Sequence, residues 1–216
     1  MALAHFPDPR NATSEGIVTF GGSPDPDLLV EAYSKGIFPW PVEGYPLLWF
    51  SPPERAILFF DELHVPRSLA RERRRNSLRF TLDRAFERVI ASCASVERAH
   101  EAGTWITPEM IRGYTELHRR GRAHSVEAWE DGELVGGLYG VDAGGAFGGE
   151  SMFRLRPNAS KLALLFLVEH LKARGLGWLD IQVMTPHMKA LGARLVSRNR
   201  FLELLALARE RNLKLF

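Results

Sequence analysis

An acid and an amide stand two residues apart in the run Trp178-Leu179-Asp180-Ile181-Gln182-Val183. The run is rich in β-formers, with Gly175 and Gly177 before it and Thr185-Pro186 after it, and so predicts a short buried strand. Side chains alternate across a strand, so Asp180 and Gln182 share one face, about 7 Å apart, and Leu179, Ile181 and Val183 share the other. A lone carboxylate in an apolar strand is costly unless something hydrogen-bonds it. The Gln182 NH₂ is the expected partner, which leaves the Gln182 oxygen aimed outward as an acceptor. The plainer alternative is a structural polar pair that ties down a loop. Glu150, between Gly149 and Ser151-Met152-Phe153, is a second acid in an otherwise apolar hairpin.

Other chemistries leave recognisable spacings, and this chain lacks them. There is no Walker A loop and no G-x-G-x-x-G fingerprint. The histidines have no metal-ligand spacing, and no G-x-S-x-G elbow offers a serine nucleophile, so neither a metal nor a cofactor is expected. Coenzyme A enzymes place a glycine-rich loop before a central helix to grip pyrophosphate. Here that position reads Arg156-Pro157-Asn158-Ala159-Ser160-Lys161.

The elements that must carry these residues follow from periodicity and turn chemistry. Asp25, Pro26 and Gly36 bound a helix with Leu28, Leu29, Ala32 and Tyr33 as its apolar stripe. Trp40 follows in a stiff Phe-Pro-Trp-Pro knuckle, which can pack or serve as a platform for a base. Leu47–Phe50 and Ala56–Phe60 predict strands on either side of Ser51-Pro52-Pro53, taken as a domain boundary. An amphipathic helix is expected over 82–95. Thr107-Pro108-Glu109 opens a helix striped by Ile111, Tyr114, Leu117 and His118, with Trp105 in the loop before it. Asp131-Gly132 and Asp142–Gly145 turn a three-strand meander. Glycines 136, 137, 140, 148 and 149 inside it mark bulges or close approach. The helix over 161–173 is apolar almost all round and must be central. The expected architecture is α+β: residues 1–54 as a small N-terminal α/β domain and 55–216 as an acyltransferase-like, GNAT-type mixed sheet flanked by helices.

Composition is that of an ordinary globular protein, 45% hydrophobic and 25% charged over 216 residues. One cysteine and the absence of a long apolar run suggest a soluble cytoplasmic protein with no membrane segment. The net charge is only +2, but Arg67, Arg71, Arg73, Arg74, Arg75 and Arg79 crowd one stretch opposed by Glu72 alone. Such a patch can hold phosphates, or simply be a solvated helix face.

Several motifs together resemble the leucyl/phenylalanyl-tRNA–protein transferases. They are Gly36–Trp40, Leu48–Pro52, Gly103–Thr107, Ala123–Glu127, Leu134–Val141, Gly149–Phe153, Asn158–Lys161 and Asp180–Val183. The resemblance implies transfer of Leu or Phe, less well Met, from charged tRNA to proteins with N-terminal Arg or Lys. That reaction marks them for degradation in the N-degron pathway, and a monomer is expected. It implies catalytic roles for Asp180 and Gln182, the family's relay from acid to amide. It also implies an aromatic pair, Trp40 and Trp105, at the terminal adenosine, with Tyr33 and Tyr114 as weaker candidates. Glu150 would hold either the substrate amine or the acceptor's cationic side chain. Leu138, Phe147 and Met152 would line the aminoacyl pocket, and Arg67, Arg71, Arg73, Arg74 and Arg75 would meet tRNA phosphates. The chain departs from the common pattern at Leu138, where Met is frequent, and at Thr185, where Asn is frequent. The competing expectations are an acetyl-CoA-dependent acetyltransferase of the same fold and a non-catalytic RNA-binding module.

Overall fold

The computed structural model describes residues 5–95 and 105–216. Gly103 and Thr104 of the Trp105 motif lie outside the described residues. A three-stranded antiparallel sheet comes first, in the order β1 (Ile17–Phe20), β3 (Leu48–Phe50), β2 (Phe38–Trp40). The Phe-Pro-Trp knuckle is therefore a sheet strand, not a free turn. Helix α1 (Pro26–Ser34) starts as its residues predict, with the Asp25 side chain accepting from the Asp27 amide at 2.9 Å.

The second sheet has seven strands in the order β10 (Arg194–Ser197), β4 (Glu54–Phe59), β9 (Trp178–Gln182), β8 (Phe147–Arg154), β7 (Glu133–Asp142), β6 (Ala123–Glu130), β5 (Arg79–Leu82). The meander β6–β7–β8 is as expected. Two placements are not. Strand β5 adds to its edge, and β4 slots between β9 and β10 although it lies far upstream in the chain. Helices α2 (Arg67–Arg75), α3 (Phe86–Ser95), α4 (Pro108–Arg119), α5 (Ala159–Ala173), α6 (Pro186–Ala190) and α7 (Arg198–Glu210) flank the sheet. No helix among the described residues is long and apolar enough to cross a membrane.

Two junctions position the site. The first is between β8 and β9, which run parallel and are registered at Gly148↔Asp180. Beyond that point β8 continues to Glu150 and β9 to Gln182. The second is the packing of α1 on α4. Gly113 permits it: a Cβ there would stand 2.1 Å from the Pro24 carbonyl oxygen. The long helix α5 packs on β6, β7 and β8, as its all-apolar surface requires.

Candidate active site

Asp180 is buried, and its carboxylate is claimed by a partner the sequence reading did not name. Arg55 on β4 grips it in two parallel bonds, Nε to Oδ1 at 2.8 Å and Nη2 to Oδ2 at 2.7 Å. The guanidinium is itself buried, lying 4.6 Å from the Phe38 ring centre and 4.4 Å from that of Phe201, and it donates to the Gly36 carbonyl at 3.3 Å. A buried carboxylate needs a paired charge, and β4 supplies it by pairing antiparallel with β9. The expectation that the Gln182 side chain satisfies Asp180 is corrected: Asp180 instead accepts the Gln182 backbone N–H, at 2.9 Å.

That backbone bond has a consequence. Gln182 has φ of +60°, and the Val183 amide reaches back to the Ile181 carbonyl at 2.7 Å. This is a tight γ-turn in its rarer, strained hand. It ends β9 one residue earlier than alternation alone predicts and swings Gln182 away from Asp180. Val183 emerges 45% exposed rather than buried.

Gln182 now meets Glu150. Its Nε2 donates to Glu150 Oε1 at 2.5 Å. The Tyr114 hydroxyl of α4 donates to Glu150 Oε2 at 3.1 Å. The Tyr33 and Tyr114 hydroxyls are 2.5 Å apart; since Tyr114 spends its proton on Glu150, Tyr33 donates to Tyr114. The packing of α1 on α4 thus delivers a proton-donor chain to the acid on β8. All its donors are neutral. Burial is the main force on the Glu150 carboxyl and raises it to about 7, against the opposing pull of Tyr33 and Tyr114. Burial, then the Glu150 charge, pushes both tyrosine hydroxyls well above the usual phenol range. Gln182 Oε1 makes no bond among the described residues and remains an available acceptor.

Glu150 forms part of the wall of a cavity of about 360 Å³. The wall is otherwise mostly apolar, with Leu138 of β7, Met152 of β8, Leu164 of α5, Leu179 and Ile181 of β9, and Met188 of α6. The face of β9 opposite Asp180 therefore lines the cavity. The arrangement offers an apolar socket, an acid poised near neutrality, and an amide oxygen beside it. That suits aligning and deprotonating an amine next to an apolar group.

The sequence profile described as leucyl/phenylalanyl-tRNA protein transferase matches residues 57–206, and that of its N-terminal domain matches residues 22–53. The chain belongs to this family. Proteins named leucyl/phenylalanyl-tRNA–protein transferase from Desulfatibacillum aliphaticivorans and Anaeromyxobacter dehalogenans (strain 2CP-C) are each 50% identical to it, over 200 and 205 residues. The alignments cover 93% and 95% of this chain, and 86% and 88% of those proteins. The relative from Myxococcus xanthus is 49% identical over 203 residues, 94% of this chain and 87% of its own length. A crystal structure of ribosomal-protein-alanine N-acetyltransferase from Brucella melitensis overlays on 52% of this chain and 84% of its own, with a TM-score of 0.36 and 19% identity. That overlap is too loose to carry an argument.

In this family member the remaining site candidates separate clearly. Leu138 and Met152 line the cavity, but Phe147 does not. Phe147 fills the space left by Gly140, where a Cβ would stand 2.5 Å from its ring, and it packs on Phe216 at 5.2 Å between centres. Its side chain belongs to the core. Trp40 and Trp105 come together, parallel within 9° at 6.0 Å between centres. Neither lines the 360 Å³ cavity, but Trp40 contacts Phe38, which covers Arg55. On α2, Arg67, Arg71, Arg74 and Arg75 are exposed without a carboxylate partner among the described residues, whereas Arg73 pairs with Glu169 of α5. Arg55 is the functional residue that sequence reasoning missed. The signal was present: an arginine entering an apolar strand, Arg55-Ala56-Ile57-Leu58-Phe59, together with a buried acid that required a cation.

Proposed function

We propose that this protein transfers Leu or Phe, and less well Met, from aminoacyl-tRNA to the N-terminal Arg or Lys of acceptor proteins, forming a peptide bond. The observation that carries this reading is Glu150 in the wall of the 360 Å³ apolar cavity, hydrogen-bonded from behind by Gln182. The cavity takes the aminoacyl side chain and excludes charged ones by desolvation. The acceptor's α-amine, normally titrating near 7.7–8.0, gives one proton to water and, as the neutral amine, donates a hydrogen bond to Gln182 Oε1. Its nitrogen attacks the ester carbonyl, the C–N bond forms and the C–O bond to the ribose breaks. Ionised Glu150 takes the amine proton and returns it to the leaving ribose oxygen. The ester is already activated, so positioning and proton transfer supply the catalysis. This reading makes Glu150 the base and leaves Asp180 as a positioning residue for the turn at Gln182. The stacked Trp40–Trp105 pair offers a flat face for the terminal adenine, worth about 1–3 kcal/mol. The exposed arginines of α2 meet tRNA phosphates. The chain divides near Ser51-Pro52-Pro53, with the three-stranded sheet before it and the seven-stranded sheet after it.

The test is transfer of radiolabelled Phe from Phe-tRNA to one protein beginning with Arg and to the same protein beginning with Ala. Labelling of the first alone is expected. Labelling of neither, or of both equally, overturns the reading.

A further inference from the structure

A second cavity, about 310 Å³, opens beside the first and shares Met152 and His187 with it. Its other walls are Phe153, Arg154, Ser160 and Lys161. It sits at the start of α5, where Asn158 takes the N-cap position but makes no side-chain cap bond. The first amides of a helix therefore lack a side-chain acceptor, and the positive end of the helix dipole faces the cavity. A helix start alone means little. Here a second, independent feature stands in the same wall. Ser160 is only 5% exposed, and its hydroxyl has no hydrogen-bond partner among the described residues. The residue is buried but its hydroxyl borders the cavity, where it can meet whatever occupies that space.

The charges in the wall agree on what would arrive. Arg154 is exposed, Lys161 is half-buried, and neither has an ion-pair partner among the described residues. No acid lines the cavity. Lys161 lies close enough to help lower the His187 imidazole, whose main depressing influence is burial. A free hydroxyl, uncapped helix amides and two unpaired cations make a site for a tetrahedral oxyanion. Arg156, just before the helix, pairs with Glu130 of β6 at 2.5 Å and with Glu72 of α2 at 3.5 Å, which ties this end of α5 to the arginine-rich helix.

We infer that the start of α5 is a phosphate subsite, built from Ser160, Lys161 and Arg154, that holds a backbone phosphodiester of the donor strand upstream of its terminal adenosine. This rests on the aminoacyl-tRNA reading, because the ester must lie in the adjoining cavity. The subsite fixes the strand entering that cavity, so that the ester carbonyl reaches Glu150 from one side.

The probe is fluorescein-labelled cytidyl-cytidyl-adenosine, uncharged, titrated against the full-length protein. Ser160→Ala and Lys161→Gln should each weaken its binding about tenfold, and Lys161→Arg should restore most of it. Transfer is then measured with two donors: 3′-phenylalanyl adenosine, which has no phosphate, and the 3′-phenylalanyl trinucleotide. The variants should raise KM for the trinucleotide with kcat unchanged and leave both parameters for the adenosine ester unaltered. Unchanged trinucleotide binding in both variants overturns the subsite. So does an equal rise in KM for both donors, which marks a structural role. A wild-type protein that binds the trinucleotide but transfers from neither donor leaves the subsite standing and removes the transferase reading instead.

Discussion

Two carboxylates sit on neighbouring strands of one sheet, and the charge of the side chains that donate to them differs. Asp180 on β9 meets a guanidinium in bidentate contact. Glu150 on β8 meets only the neutral donors Tyr114 and Gln182. A paired opposite charge holds the first acid in place, and the Phe38 and Phe201 rings cover that guanidinium. Without one, burial dominates and brings the second to about 7, beside an open cavity. The charged pair holds geometry; the neutral network leaves a group free to exchange a proton. The division of labour between the two acids is set by who donates to them.

The largest effect should come from breaking the charged pair. Arg55→Ala leaves Asp180 buried and unpaired, and we expect a loss of about 3–5 kcal/mol in stability by denaturant unfolding. If Asp180 were merely solvated, the loss would be far smaller. The opposite sign is expected at Glu150. Below pH 4.5 folded and unfolded chains both carry its proton, so the acid imposes no penalty. Between pH 4.5 and about 7 the unfolded chain ionises while the folded chain keeps the proton, so stability falls; above about 7 both are ionised and the loss stays constant. Full desolvation would make that loss about 3 kcal/mol; Glu150 borders the open cavity, and we expect about 2 kcal/mol. Glu150→Gln should therefore stabilise the protein at pH 8, flatten this part of its pH–stability curve, and lower activity. Tyr33→Phe is the mildest change: it removes a single neutral hydrogen bond, about 1 kcal/mol, and should raise the apparent pKa seen in the rate only if Tyr33 helps to set Glu150. A profile unmoved by that change would shorten the network to Tyr114.

Much of this architecture could be read from residue patterns. The all-apolar run of α5, the Asp25-Pro26 and Thr107-Pro108 helix starts and the Asp131-Gly132 turn each carry a local signal, and each element stands where expected. Non-local pairing carries no such signal. Nothing near Glu54–Phe59 says that it will lie between β9 and β10, and so Arg55 was not connected to Asp180. The same gap explains Phe147, whose direction depends on the empty space at Gly140 across the strand pair. Alternation correctly put Leu179 and Ile181 together on the face away from Asp180, but it cannot foresee that this face lines the cavity or that Gln182 takes a positive φ. That strained residue is where the strand pattern fails, and it is also where the chemistry is proposed to occur. The two acids were visible as anomalies; their partners, and therefore their roles, required the fold.

The most direct measurement is kcat against pH, at saturating Phe-tRNA and acceptor, for the wild type and Glu150→Gln. The account predicts a wild-type rate that rises through an apparent pKa near 7. The variant should be slower by about a hundredfold or more, with that limb gone and only the acceptor amine's own limb near 7.7–8.0 remaining. A Glu150→Gln profile that superposes on the wild type in both height and shape would contradict it.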